Sequence, residues 1–232
     1  MPDLGQLEQA CGVQFNDVDL LRQALAHRSY LYEHAEFRLE SNERLEYLGD
    51  AVLTYVSSLH LFRAFPEVQE GQLTALRAAA VRAETLAKFA RQIDLGTYLL
   101  LGRGEEKGGG RSRPLLLSSA FEALVGAILL DQGLDRASAF IQRFLEPEIE
   151  AIVIEGRHQN FKSRLQELTQ AEMQATPEYR TVKASGPSHA RTFTVEVLIK
   201  DEVAGRGEGA NKRSAQQAAA REALLKLTGS EA

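Results

Sequence analysis

From residue 4 to residue 150, apolar side chains recur at every third and fourth position, the spacing of helices that bury one face. The pattern predicts helices over 4–11, 18–27, 42–65, 71–93, 115–132 and 136–150. The interruptions fall at Pro66 after Phe65, at Gly71, along the run from Gly102 to Pro114, and at Gly133. Beyond residue 156 the period changes. Residues 160–171 form a short amphipathic helix, whereas 192–200 alternate strictly, with Phe193, Val195, Val197 and Ile199 on one face of a half-buried strand. Residues 179–184 read as a partner strand, 203–209 as a third strand interrupted by glycines, and 211–227 as an alanine-rich helix. Helix, three strands and helix make a compact α+β module behind an all-α domain. The expected division is 1–153, a linker at 154–159, and a second domain at 160–229.

Composition sharpens this picture in three places. A single cysteine, Cys11, leaves no disulfide to staple the fold, and with no signal-peptide pattern the expected compartment is the cytoplasm. The most apolar run, 114–130, contains two serines and a glutamate, so no membrane span is expected. The net charge of −5 hides an asymmetry: residues 156–232 hold twelve basic against nine acidic side chains, and the rest hold fifteen against twenty-three. A mildly basic tail on an acidic body suggests two modules with different tasks. The stretch GRGEEKGGGRSRP reads equally as a loose connector or as a functional surface loop.

The candidate chemistry begins at NERLEYLGDAVL, residues 42–53, where Glu43, Glu46 and Asp50 are three and then four residues apart. At 100° per residue they share one narrow arc, with Leu45, Leu48, Val52, Tyr55, Val56 and Leu59 opposite. Such an arc is most often a solvated face. Here, however, Tyr47 and Leu53 flank it, suggesting packed neighbours, and no lysine or arginine lies between Arg44 and Arg63 to offset the repulsion.

In PLLLSSAFEALVGAILL, residues 114–130, the one charged residue is Glu122. A helix so apolar is central and buried, and a lone glutamate in it needs a proton, a partner or a metal. One reading pairs it with Arg77 or Arg82. The other packs this helix on the first, so that Glu122 joins the acidic arc. Hard oxygen ligands without His or Cys suit Mg²⁺ or Mn²⁺, the cations that activate water and clamp a phosphoryl group.

These residues resemble bacterial ribonuclease III. NERLEYLGDAVL is similar to that family's signature, LAHRSY to the short motif before it, and GGRSRPLLLSSAFEALVGAILLD to its second acidic helix. NFKSRLQELTQ, GPSHARTFTVEV and GEGANKRSAQQAAAREAL resemble a double-stranded-RNA-binding domain along its length. The resemblance implies a helical endonuclease domain that dimerises, followed by the RNA-binding module. It implies cleavage of duplex RNA to 5′-phosphate and 3′-hydroxyl ends with short 3′ overhangs, in ribosomal, messenger and transfer RNA processing, with Mg²⁺ as cofactor and Mn²⁺ able to substitute. Carried over by position, Glu46, Asp50 and Glu122 match the metal-binding and catalytic carboxylates, Glu43 a supporting acid, and Glu70 another acid near the cleft. Tyr47, Leu48 and Gly49 match packing and interface positions. The family usually places an aspartate three residues before its second-helix glutamate, where this chain has Ser119. A neutral hydroxyl there implies either metal-hungry catalysis or a duplex-RNA binder that does not cut.

For the second module the resemblance implies shape readout of a duplex, roughly 16 bp long, through minor grooves and phosphates. Gln166, with Ser163 and Glu167, would face one minor groove and His189 the next. Lys212 and Arg213 would meet phosphates at the start of the last helix, with Lys162, Arg164 and Lys183 adding general attraction.

Overall fold

The computed structural model describes residues 3–154, 161–187 and 191–229. The chain divides into two compact units, residues 1–158 and 159–232. The expected linker lies, from residue 155 onward, outside the described residues.

The first unit is helical throughout: α1 (Leu4–Cys11), α2 (Val18–Leu25), α3 (Arg28–Glu33), α4 (Glu43–Ala64), α5 (Glu70–Ala80), α6 (Ala83–Gln92), α7 (Leu95–Tyr98), α8 (Arg103–Lys107) and α9 (Pro114–Ile154). Helix α9 is its axis. Leu117, Ala120, Phe121 and the run Ala123–Leu124–Val125 are all buried, as expected for a helix almost free of charge. Phe89 of α6 meets Phe121 and Phe144 with ring centroids 5.7 and 5.5 Å apart, and Phe140 stacks on Phe121 at 5.5 Å. By length and composition Pro114–Val153 could cross a bilayer, which the reading of residues 114–130 alone did not anticipate. More than half of its most apolar window, 56%, is buried against the unit's own core, as in the central helix of a globular domain.

The expected break at Gly133 holds: its backbone is far from helical (φ 83°, ψ 177°) and divides α9 into two helical segments, the second of which continues through Pro147 with Ile149 and Ile152 buried beyond it. Other expected boundaries shift. The expected helix 71–93 is two helices. Arg82 turns extended (φ −68°, ψ 157°), and Thr85 Oγ1 donates to the Ala79 carbonyl at 3.0 Å. Leu76 and Ala80 before the turn and Leu86 and Phe89 after it are all buried, so core packing overrides the helix propensity of the alanines. Nor is the glycine-rich stretch a loose connector. It folds into α8 and a 3-10 turn, and Arg111 Nη1 donates to the carbonyls of Gly96, Thr97 and Leu99 at 3.1, 3.0 and 2.9 Å.

The second unit is α10 (Phe161–Met173), strands β1 (Glu178–Ser185), β2 (Thr192–Ile199) and β3 (Glu202–Gly209), and α11 (Lys212–Thr228). The sheet is antiparallel in the order β1-β2-β3, with Val197 facing Tyr179 on one side and Gly205 on the other. Strand β2 ends one residue early because Lys200 and Asp201 both adopt positive φ (50° and 67°), the geometry of a tight two-residue hairpin. The glycines of β3 have a packing reason: a Cβ on Gly207 would stand 2.2 Å from the Ala219 nitrogen. Alanines on α11 and glycines on β3 thus let helix and sheet approach closely over Val195, Val197, Leu165 and Leu224.

Candidate active site and RNA-binding surface

Helices α4 and α9 cross backbone to backbone. A Cβ on Gly49 would lie 1.8 Å from the Glu122 carbonyl oxygen, and one on Gly126 would lie 2.3 Å from that of Leu45. Glycine on both sides makes this crossing attainable. It brings the α4 arc to Glu122: burial first, and then the charges of Glu46 and Asp50, push the Glu122 carboxyl up to about 7 from its ordinary 4.5. The expected association of the two acidic helices therefore holds. The rival reading does not, because Arg77 donates to Ser58 Oγ at 2.9 Å, Arg82 lies 4.0 Å from Glu84, and among the described residues no basic group pairs with Glu122.

Glu43 and Glu46 sit in the first turn of α4, where the helix dipole favours negative charge. A cavity of about 240 Å³ opens beside them, lined by Glu43, Glu46 and Ser119 together with His27, Arg28 and Asn42. Glu43 accepts from Ser41 Oγ at 3.0 Å and lies 3.6 Å from Arg28. So α3 supplies part of the counter-charge that α4 lacks, which spacing along α4 could not reveal. Leu53 is buried, but Tyr47 is 82% exposed, so the arc is packed on one flank only. Tyr55, assigned to the apolar side, is 52% exposed.

Glu70 opens α5 away from this cavity. It lines a separate apolar groove with Tyr55, Phe62, Leu73 and Arg77, and it accepts from Thr74 at 3.3 Å. Within one chain it does not join the acidic cluster.

The donor chemistry fits a hard divalent cation: three carboxylates, of which Glu122 is held above its ordinary range by burial and by the charges of Glu46 and Asp50, with Ser119 offering a neutral oxygen. Among the described residues, however, no three His, Cys, Asp or Glu side chains are arranged to hold a metal ion.

On the second unit, Ser163 and Gln166 are exposed on one face of α10, with Glu167 beside them. Lys212 and Arg213 are exposed in the first turn of α11, which Asn211 and Ser214 cap reciprocally. The two helices are tied together, since Lys162 Nζ donates to Gln216 Oε1 at 2.8 Å and its backbone N–H to Gln217 Oε1 at 3.2 Å. Lys162 also lies over the Tyr179 ring, 4.5 Å from its centroid, so it braces the module rather than standing free. His189 lies outside the described residues.

Residues 17–149 match the family model described as Ribonuclease-III-like, and residues 161–227 match that of the double-stranded RNA binding motif. The chain belongs to the ribonuclease III family. It is 47% identical over 226 residues to Ribonuclease 3 of Roseiflexus sp. (strain RS-1), covering 97% of this chain and 95% of that one. It is 46% identical over 222 residues to Ribonuclease 3 of Enterococcus faecalis, covering 96% of each. Among solved structures, the nuclease domain of ribonuclease III from Campylobacter jejuni superposes with a TM-score of 0.58 at 40% identity, over 62% of this chain and 97% of that one. That structure is described as showing flexibility in a region involved in dimer formation. The first unit is thus a helical ribonuclease III domain, and the second is a double-stranded-RNA-binding domain with the expected order of one helix, three antiparallel strands and one helix.

Proposed function

We propose that this chain is a divalent-metal-dependent endoribonuclease that cuts both strands of duplex RNA as a homodimer. The observation that carries the reading is the electrostatic coupling of Glu46, Asp50 and Glu122 across the Gly49–Gly126 crossing. Glu46, Asp50 and Glu122 would hold Mg²⁺, or Mn²⁺ in its place, with Ser119 a weak neutral donor. When bound, the cation supplies Lewis acidity at the phosphodiester and makes water easier to deprotonate. Water adds to phosphorus, the bond to the 3′ oxygen breaks, and that oxygen takes up a proton, leaving 5′-phosphate and 3′-hydroxyl ends. Glu43 flanks the cavity as a supporting acid. Ser163, Gln166, Lys212 and Arg213 seat the duplex by its shape and phosphates, which carry no base code.

Two antiparallel strands call for two equivalent clusters related by a twofold axis. Tyr47, Tyr55 and Phe62 stand 82%, 52% and 70% exposed on α4, an apolar surface of the kind that a second copy covers. The dimer-forming region described for the Campylobacter jejuni domain supports the same arrangement. Short 3′ overhangs, action in the cytoplasm and substrates among ribosomal, messenger and transfer RNA precursors complete the reading.

The test is cleavage of a long perfect RNA duplex with Mg²⁺ and then Mn²⁺ titrated in, and Glu122→Gln as the blank. Cutting that vanishes in the blank supports the enzyme. Ser119 favours a second reading, a duplex-RNA binder that does not cut, and tight binding without cleavage at any metal concentration would establish that one instead.

A further inference from the structure

The motif LAHRSY takes no part in the carboxylate chemistry, yet its His27 and Arg28 form the wall of the cavity that holds Glu43, Glu46 and Ser119. The backbone there is pinned from several directions. His27 N–H donates to the Leu100 carbonyl at 3.1 Å, Leu100 N–H to that of Leu25 at 2.9 Å, and Asn42 N–H to that of Ala26 at 2.8 Å. Ser29 Oγ accepts from Gly102 N–H at 2.9 Å. His27 Nδ1 accepts from Ser29 N–H at 3.3 Å and lies 2.8 Å from Ser29 Oγ.

Arg28 thus has a backbone pinned by its neighbours and a side chain that reaches into solvent. Its side chain is 65% exposed, and its ion pair is with Glu43 at 3.6 Å, longer than a charge-assisted hydrogen bond. A pair so open holds both partners weakly. Among the residues lining the cavity, Arg28 bears the one fixed positive charge. A phosphodiester brought there meets carboxylates on one side and needs a cation on the other. The planar guanidinium fork suits a phosphate better than any other side chain does.

We propose that Arg28 is a substrate-binding residue of the cleavage cavity, where its guanidinium exchanges the loose contact with Glu43 for a backbone phosphate of the RNA duplex. The proposal rests on the duplex-cleaving reading given above. Once Arg28 leaves, Glu43 keeps the Ser41 hydroxyl as its donor.

The experiment compares Arg28→Gln and Arg28→Lys in the full chain carrying Glu122→Gln, binding a fluorescent perfect RNA duplex in Mg²⁺ over a range of salt concentrations. The duplex is longer than the roughly 16 bp that the RNA-binding module spans. Arg28→Gln weakens binding about three- to tenfold and lowers the slope of log Kd against log salt by about one. Arg28→Lys restores the slope but not the full affinity. With Glu122 intact, Arg28→Gln raises KM for cleavage by a similar factor. Unchanged Kd and salt slope, with a fall in kcat alone, would make Arg28 a prop for Glu43 and overturn the proposal while leaving the nuclease reading intact. A parent chain that neither binds nor cuts the duplex would overturn both.

Discussion

Replacing Glu122 with glutamine should stabilise the metal-free protein, and the gain should depend on pH in a defined sense. Glu122 titrates near 7 in the folded chain against an ordinary 4.5, because burial and the charges of Glu46 and Asp50 disfavour its anion. The folded state therefore binds the proton more tightly than the unfolded state does. The stability associated with protonated Glu122 is complete below about 4.5 and is lost as pH rises through about 7. A shift of that size corresponds to roughly 3 kcal/mol at about 1.4 kcal/mol per unit, and partial solvent contact reduces it to about 1–2 kcal/mol. Glutamine carries no charge at any pH. At pH 8 in a chelator the variant should melt about 3–6 °C above the parent, at roughly 2–4 °C per kcal/mol for a chain of this size. At pH 4.5 the two should nearly coincide. Added Mg²⁺ should raise the parent's Tm more than the variant's and narrow the gap at pH 8. Scanning calorimetry in the four conditions gives the answer. A gain of equal size at both pH values, or a loss at pH 8, would refute the coupling of the three carboxylates.

Three other outcomes are expected. Gly49→Ala should cost more than about 3 kcal/mol, because the added carbon meets a backbone oxygen that cannot rotate away; urea unfolding measures it, and a near-neutral effect would mean that the helices cross less closely. Ser119→Asp should tighten Mg²⁺ binding about tenfold or more by adding a charged ligand to the cluster, read by calorimetric titration, and no gain would remove Ser119 from the metal's reach. Lys212→Ala with Arg213→Ala should weaken duplex binding for every RNA sequence alike and lower the salt slope by about one to two. A loss confined to particular sequences would mean that these side chains read bases.

The helices were legible where one face had one task. Glu43, Glu46 and Asp50 lie at three- and four-residue spacings, and Glu122 is the lone charge in an apolar helix, so the pattern admitted a cluster beside the solvated-face and arginine-paired readings, and the close crossing of α4 and α9 decides for the cluster. The partner of that cluster was not legible, because Arg28 lies in a different helix and reaches Glu43 only through the tertiary fold. The division of 71–93 into α5 and α6 was hidden for the same reason: AAAVRAE is good helix sequence, and the turn at Arg82 exists to bury Phe89. The exposure of Tyr47 and Tyr55 was misread because helical spacing assigns residues to faces without saying whether a neighbour covers them. In the second unit, β2 was plain from its alternation. The glycines of β3 looked like interruptions until α11 was seen pressing on them.

The Gly49–Gly126 contact also sets a standard of length. Where side chains separate two helices, the spacing drifts whenever a core residue gains or loses a methylene. At this crossing main chain touches main chain, a distance that peptide geometry makes the same for every sequence that keeps the two glycines. The core around it is then free to change in composition over many generations while Glu46, Asp50 and Glu122 stay in register. Heating or repacking the domain should loosen its periphery well before it alters the spacing of the three acids.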